Sequence, residues 1–418
     1  MSAARMDRRD FLRLGVAAGL AGAAAPWPAR PARAAAADLD FASALDAAGA
    51  IRAGVVSSVE LTTRMIDRIG RLNPPVNAVV ALDADAALAR ARAADEARGR
   101  REIWGRFHGV PITVKDTYET AGLTTTAGSA SLRSHVPTRD AAVVERLRRA
   151  GGIVLGKTNV PIFASDWQSF NAVYGRTSNP WDPTRTPGGS TGGGAAALAA
   201  GFTYLEPGSD LAGSIRIPAH FCGVYGHKPS LDVVPMRGHI PPPPGIPATP
   251  PSTLPVAGPL ARSAADLLAA LQVLGGPDGD EARAWRWSLP PARGARLADY
   301  RIGYVLDDPR APVSSDQAPA LAAAVEALRK AGARLEEGWP PGVNVDDQYD
   351  AYLTLLYAHF TPPAREEQLA GLRQIAASSE TSHLVRYARA VTATDAHLRT
   401  VEDRRRMARG RWQGYFRT

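Results

Sequence analysis

The stretch EPGSDLAGSIRIP, residues 206–218, is loop-rich and sets one serine, Ser214, directly behind a glycine. Upstream, TPGGSTGGG at residues 186–194 repeats the device with Ser190 behind Gly189. The two serines are 24 residues apart. Further upstream, GVPITVKD at residues 109–116 reads as a short apolar strand over 110–114 that ends on Lys115 and Asp116.

Two serines and a lysine are enough for one kind of chemistry. A serine hydroxyl is a weak nucleophile until a base takes its proton. A lysine becomes that base when burial disfavours its ammonium and pulls its pKa down from ~10.4, a shift that arginine does not undergo. A second serine can pass the proton between them. Glycine-rich turns expose backbone N–H groups that can hold an oxyanion, with no side chain blocking the approach.

Blander readings of the same residues stay open at this point. A lysine at a strand end is commonly a solvated rim charge, and a serine after Gly-Gly is commonly a turn or helix cap. Gly192–Gly194 could cradle a phosphate, but neither nucleotide-binding glycine pattern is present. His220, His227 and His239 follow Ser214 and would suit a Ser-His-Asp triad. There is no G-x-S-x-G elbow, so they read as structural. Cys222, between Phe221 and Gly223, reads as a small core residue.

Taken together, the stretches resemble the amidase signature family from about residue 40 to 280, most densely over 105–275. GVPITVKD matches the family's lysine motif, GGSTGGGAAALAAG its Gly/Ser-rich signature, and GSDLAGSIRIPAHFCGVYGHKP its nucleophile segment. DWQSFNAVYGRTSNPWDPTRTPGG (166–189) and VAGPLARSAADLLAAL (256–271) match as well. The resemblance implies Lys115 as base, Ser190 as the bridging serine on a cis peptide, and Ser214 as nucleophile. It puts the oxyanion hole on the backbone N–H groups of Leu211, Ala212, Gly213 and Ser214. Thr191, Ser209, Asp210 and Arg216 take supporting places. Three positions depart from the pattern: Thr191 stands for a serine, Ser209 for a threonine, and Ala212 for a glycine beside the oxyanion hole.

The implied fold is α/β, a large mixed β-sheet sandwiched between α-helical layers. The implied activity is hydrolysis of a linear carboxylic amide to an acid plus ammonia or amine, through a Ser-Ser-Lys triad and an acyl-enzyme. No metal or cofactor is expected. The expected partner is a small-molecule amide, and a homodimer is compatible with it. Two rivals are a glutaminase-like subunit of a tRNA-dependent amidotransferase and an inactive, truncated homologue. The second arises because family members continue past the helix that closes near Trp412–Phe416, so the chain is expected to be C-terminally short.

Composition agrees with an enzyme of this size. Hydrophobic residues make up 45% and charged residues 22% of 418, enough for a sizeable core. A single cysteine excludes an internal disulfide. Of the net charge of +8, half sits in residues 1–34, where six arginines face two aspartates. The rest is mixed in sign, with no basic stripe for nucleic acid. The run Glu402–Arg406 reads as a solvated helix face.

Residues 1–34 read as a twin-arginine-type signal peptide. Arg8-Arg9 precede Asp10-Phe11-Leu12, a mild apolar run spans Leu14–Ala25, and Ala32-Arg33-Ala34 resembles a cleavage site. The run is too short and too rich in Gly and Ala to span a membrane, which takes roughly 20 residues. The expectation is an exported, periplasmic protein whose amidase domain covers 35–418. Along that domain, helices are predicted over 39–54, 58–72, 83–100, 140–150, 195–200, 263–274 and 316–331. Strands are predicted over 153–155, 300–306 and 333–337. Residues 208–229 read as loop-rich, and the prolines between 238 and 258 read as an extended crossing.

Overall fold

The structure, a computed structural model, describes residues 36–245, 254–359, 365–380 and 382–417. The expected signal peptide (1–34) and residues 246–253 of the proline crossing lie outside the described residues. The described residues fall into two compact units, one within 36–289 and one within 290–417.

In the first unit, local caps set the helices. Ser43 opens α1 (Ala44–Arg52), behind a 3-10 turn at Ala36–Phe41. Ser57 opens α2 (Ser58–Leu72) reciprocally. Its hydroxyl takes the Glu60 amide at 3.0 Å and the Glu60 carboxylate takes the Ser57 amide at 2.7 Å, which satisfies two orphan donors at once. After β1 (Val79–Leu82), Asp83 caps α3 (Ala84–Gly99). Then come β2 (Pro111–Lys115), α4 (Ala142–Arg149), β3 (Ile153–Thr158), α5 (Gly192–Ala199), β4 (Leu205–Asp210), α6 (Arg216–Cys222), β5 (Tyr225–Gly226), β6 (Val256–Ala261) and α7 (Ala264–Leu274). The buried Asp266 of α7 reaches back to the start of α1, taking the Ala44 and Leu45 amides at 2.9 Å each.

The α/β class expected from sequence holds. Its mixed sheet comes as two three-stranded sheets, ordered β1-β3-β2 and β4-β6-β5. Strands β2 and β3 run parallel; the other pairings are antiparallel. The two sheets adjoin where β2 meets β4. There the Thr113 amide donates to the Thr203 hydroxyl at 2.9 Å and the Tyr204 amide to the Pro111 carbonyl at 3.3 Å. All residues of β2, β3, β4 and β6 are buried. A continuous core of Ile51, Leu61, Met65, Phe107, Ile112, Val114, Leu147, Ile153, Leu155 and Leu198 surrounds them.

Two strands run into stretches that the sequence reads as loop (208–229) and as extended crossing (238–258). β4 contains Pro207-Gly208 and β6 contains Gly258-Pro259, yet they pair with Pro207 opposite Pro259 and Gly208 opposite Gly258. The reason is geometric. The Pro259 carbonyl accepts from the His227 amide at 3.0 Å, on the β5 side. A residue's N–H and C=O point to the same flank of a strand, so Pro259 owes β4 no hydrogen bond. The two prolines face each other where neither needs an N–H. Helix α5 starts three residues earlier than predicted, on glycines. A Cβ on Gly193 would lie 2.3 Å from the Asn159 amide nitrogen, and one on Gly194 would lie 2.4 Å from Glu206 Cγ. Only glycine lets this helix start approach the strands so closely.

In the second unit, β7 (Arg301–Tyr304), α8 (Ala318–Lys330) and β8 (Arg334–Glu337) make a strand–helix–strand unit with the two strands parallel. Helices α9 (Val345–His359), α10 (Glu366–Ala376), α11 (His383–Val391) and α12 (Asp395–Tyr415) follow. The Glu402–Arg406 run lies on α12. Arg405 and Arg406 pair locally with Glu402 and Asp403, but Arg404 binds Asp347 at 2.6 Å and Asp350 at 3.2 Å on α9. Part of that face is therefore an inter-helix ion-pair cluster and not only a solvated surface.

Among the described residues, no helix is long and apolar enough to cross a membrane.

Candidate active site

Strand β2 ends on Lys115 because the apolar run Ile112–Val114 buries it to its last residue. The lysine side chain is thereby enclosed, with no exposed surface. Its Nζ lies 2.7 Å from Ser190 Oγ, 2.9 Å from Ser209 Oγ and 3.4 Å from the Ser209 carbonyl oxygen. Burial lowers the ammonium pKa from 10.5 to about 7, although Asp210 and Glu206 pull it upward. At neutral pH a substantial share of the amine is unprotonated, as a base requires.

Ser190 precedes α5 in the Gly-rich turn, fully buried, on a cis peptide with Gly189. Ser214 follows β4 in the turn before α6 and is 6% exposed. The two turns are tied by their backbones: the Thr191 amide donates to the Ser214 carbonyl at 3.1 Å. The structure joins Lys115 to Ser190 directly. Among the described residues, the Ser214 hydroxyl has no protein hydrogen-bond partner, and it is not among the sealed, unpaired polar atoms. Such contacts are commonly long before substrate arrives.

Asp210, the last residue of β4, organises the turn that carries Ser214. Its Oδ1 takes the Gly213 amide at 2.8 Å and Arg216 Nη2 at 2.9 Å. Its Oδ2 takes the Ile215 amide at 3.1 Å and Arg216 Nε at 3.0 Å. Burial alone would raise the Asp210 pKa, but the Arg216 guanidinium and the two amides outweigh it and hold the group ionised. Of the four amides expected to form the oxyanion hole, Gly213's is thus engaged. Those of Leu211, Ala212 and Ser214 have no protein acceptor among the described residues. Gly213 sits at φ +110°, where a Cβ would fall 2.6 Å from Ile217 Cδ1. The Ala212 carbonyl accepts from Trp167 Nε1 at 2.9 Å, which steadies the turn from outside. Thr191 Oγ1 donates to the Ser209 carbonyl at 3.4 Å.

Three groups around the lysine are not evident from the motifs. Glu206, fully buried on β4, accepts from Thr113 Oγ1 and Thr158 Oγ1 at 2.6 Å each, which couples β4 to β2 and β3. Burial pushes its pKa up to about 7 against the pull of those hydroxyls, Lys157 and Lys115. Lys157 on β3 is also buried. It donates to the Tyr118 carbonyl and to Thr120 Oγ1 at 2.9 Å, and burial lowers its pKa to about 8. The half-buried His239 meets Ser209 Oγ through Nε2 at 2.8 Å. Glu206 lies within a quoted motif, one of two carboxylates there with Asp210, and that is its available signal. Lys157 has only long-range contacts, and the contact that ties His239 to Ser209 spans 30 residues.

His220 is exposed and His227 half-buried, and neither bonds to Ser214. Cys222 is buried, its thiol raised far above its ordinary pKa by burial, as a core residue would be. Among the described residues, no cluster of His, Cys, Asp and Glu has the makings of a metal site.

A family model described as Amidase matches residues 60–418. A glutamyl-tRNA(Gln) amidotransferase subunit from Chloroflexus aurantiacus is 40% identical over 293 residues, 69% of this chain. The chain spans 58% of that relative's length. Among solved structures, the peptide amidase from Stenotrophomonas maltophilia is 30% identical with a TM-score of 0.67, over 86% of this chain and 78% of that one. Fatty acid amide hydrolase shares the fold at a TM-score of 0.72 and 24% identity, over 90% of this chain and 66% of that one.

Proposed function

The chain belongs to the amidase family, and from that premise we propose that it hydrolyses a linear carboxylic amide to an acid plus ammonia or amine, using Lys115, Ser190 and Ser214. The observation that carries this reading is the enclosed Lys115 amine, 2.7 Å from Ser190 Oγ, with its pKa lowered to about 7. Ser214 attacks the amide carbon while its proton passes to Ser190 and that of Ser190 passes to Lys115. The negative charge on the carbonyl oxygen is met by the unengaged amides of the 211–214 turn, a form of stabilisation that acts where charge develops. The proton returns to the leaving nitrogen, the C–N bond breaks, and water hydrolyses the acyl-serine by the same relay.

A second reading is a glutaminase-like subunit of a tRNA-dependent amidotransferase, favoured by the name of the curated relative. The twin-arginine segment at 1–34 favours a free, exported amidase instead. A panel of aliphatic, aryl and amino-acid amides, with glutamine among them, tests both. Hydrolysis of several amides without a partner protein supports the amidase. Glutamine as the sole substrate, with a co-purifying protein, supports the amidotransferase reading. Ser214→Ala is expected to abolish both turnover and labelling by a fluorophosphonate. Labelling at the wild-type rate would move the nucleophile elsewhere.

A further inference from the structure

The Lys115 amine makes three contacts, and what each can donate or accept decides whether it is a base at all. When neutral it has two N–H bonds and one lone pair. The Ser209 carbonyl, at 3.4 Å, can only accept, and it takes one N–H. Two hydroxyls remain, Ser190 at 2.7 Å and Ser209 at 2.9 Å. Whichever of them donates to the lone pair excludes the other. If Ser209 donates, Ser190 is left accepting an N–H and the relay is blocked.

Ser209 has one proton, and His239 fixes where it points. The ring's Nδ1 lies 3.3 Å from the Pro241 carbonyl oxygen, an acceptor only, so Nδ1 carries the hydrogen. In the neutral ring, Nε2 is then an acceptor, 2.8 Å from Ser209 Oγ. The ring is kept neutral chiefly by burial and also by Lys115, which push its pKa far down. Its edge-on packing against Tyr118, with centroids 5.0 Å apart, holds the plane. Tyr118 is itself anchored by its hydroxyl to the Gly208 carbonyl at 2.7 Å.

We infer that His239 is a positioning residue for the proton relay: by accepting the Ser209 proton, it leaves the Lys115 lone pair to Ser190 alone. The inference rests on the Ser-Ser-Lys reading proposed above. His239 does not itself exchange a proton with substrate, which separates this role from that of a catalytic-triad histidine.

The test uses the rate of fluorophosphonate labelling of Ser214, which needs no knowledge of the substrate, measured across pH in the full chain. His239→Phe keeps a flat ring against Tyr118 but cannot accept. His239→Gln restores an acceptor oxygen. The Phe variant is expected to label about tenfold to a hundredfold slower at the pH plateau, the cost of a misdirected reacting group. The Gln variant is expected to recover most of that loss. Lys115 is faced by Asp210 and Glu206 from β4 and by His239, and Lys157 reaches it through Glu206. With those charges unchanged, the amine still has one hydroxyl donor at its lone pair, Ser209 in place of Ser190. The rising limb in His239→Phe should therefore stay near its wild-type pH while its plateau falls. A site merely loosened and wetted would move the limb upward, toward ordinary lysine. On a Ser209→Ala background, His239→Phe should cost nothing further, because there is no hydroxyl left to orient.

Equal losses in Phe and Gln, an upward limb, or full additivity with Ser209→Ala would each overturn the inference. So would a Phe variant that labels like wild type. Should His239→Phe fail to fold, the Gln and Ser209→Ala variants still decide: Gln must label near wild type on the wild-type background and match Ser209→Ala on the other. Lys115→Ala, run in parallel, separates the two levels. If it labels normally, the Ser-Ser-Lys reading fails and takes the inference with it. If it is inert while His239→Phe is normal, only the inference fails.

Discussion

A lysine accepts a proton only while its amine is neutral, so the pH at which Lys115 empties should appear in the kinetics. With a pKa of about 7, kcat/KM should rise as pH passes through about 7 and then level off. Lys115→Ala is expected to lower that plateau by ~10²–10⁴, the usual worth of a positioned general base. Lys115→Arg is expected to give no rescue, because a guanidinium stays protonated. Near-normal turnover of Lys115→Arg across the neutral range would end the relay mechanism. Gly213 gives a second expectation. At φ +110°, with Ile217 Cδ1 2.6 Å from any Cβ, Gly213→Ala must shift the turn that carries the unengaged amides. The expected loss is about 10²-fold in kcat with little change in KM, because oxyanion donors act mainly in the transition state. A matching rise in KM would assign Gly213 to substrate binding instead. At this scale the sequence is informative where chemistry is local: Lys115, Ser190 and Ser214 each sit in a short motif. His239 stands out in the sequence only as one of three histidines after Ser214, and its contact with Ser209 is not legible, because it spans 30 residues and no periodicity encodes it.

Helices with caps were legible as elements, since a cap is a local signal. Ser57 with Glu60, and Ser263 before α7, place their helices to within a residue. The strands β4 and β6 were not legible. Their Pro-Gly content argues for loop by every local rule, and only the pairing of Pro207 with Pro259 explains the exception. The glycine start of α5 had the opposite problem. Gly192–Gly194 lower helix propensity, yet they are required by the strands beneath. A prediction belongs to this contact. Gly194→Ala would gain helix propensity in isolation, roughly 1 kcal/mol. Here the added methyl meets Glu206 Cγ at 2.4 Å and Cδ at 2.7 Å, and Glu206 is held by two threonine hydroxyls. The net expectation is destabilisation by ~1–3 kcal/mol, the common cost of overpacking, measured by denaturant unfolding. A more stable Gly194→Ala would show that the carboxylate yields freely.

For the whole molecule, two expectations follow from charge. The arginine pair Arg8-Arg9, if it addresses the protein for export, should not tolerate replacement by lysine: Arg8→Lys with Arg9→Lys should leave the protein in the cytoplasm by cell fractionation. Efficient appearance of the double variant in the periplasm would dismiss the twin-arginine reading. The other expectation concerns the stability cost of burying a base. The Lys115 pKa is about 7 in the folded protein against an ordinary 10.5. Between those values the unfolded chain binds the proton and the folded one does not, so stability rises with pH across that window. Read downward, the contribution is lost as pH falls from 10.5 toward 7, and it stays lost below. Lys115→Met fills much of the same volume without the charge. It gives up the contact with Ser190, worth about 1 kcal/mol, while Ser209 keeps His239. Glu206 loses a neighbouring cation and shifts further toward its neutral form, which burial already favours. The Met variant should therefore be inactive yet more stable than wild type at pH 7, by about 1–3 kcal/mol, as when a destabilised active site is relaxed. Its advantage should shrink as pH approaches 10. Thermal melts of the two proteins at pH 7 and pH 9.5 measure the difference. A Met variant that melts lower than wild type at both pH values would mean that Lys115 is charged and well paired in the fold, and a charged lysine cannot take the proton of Ser190.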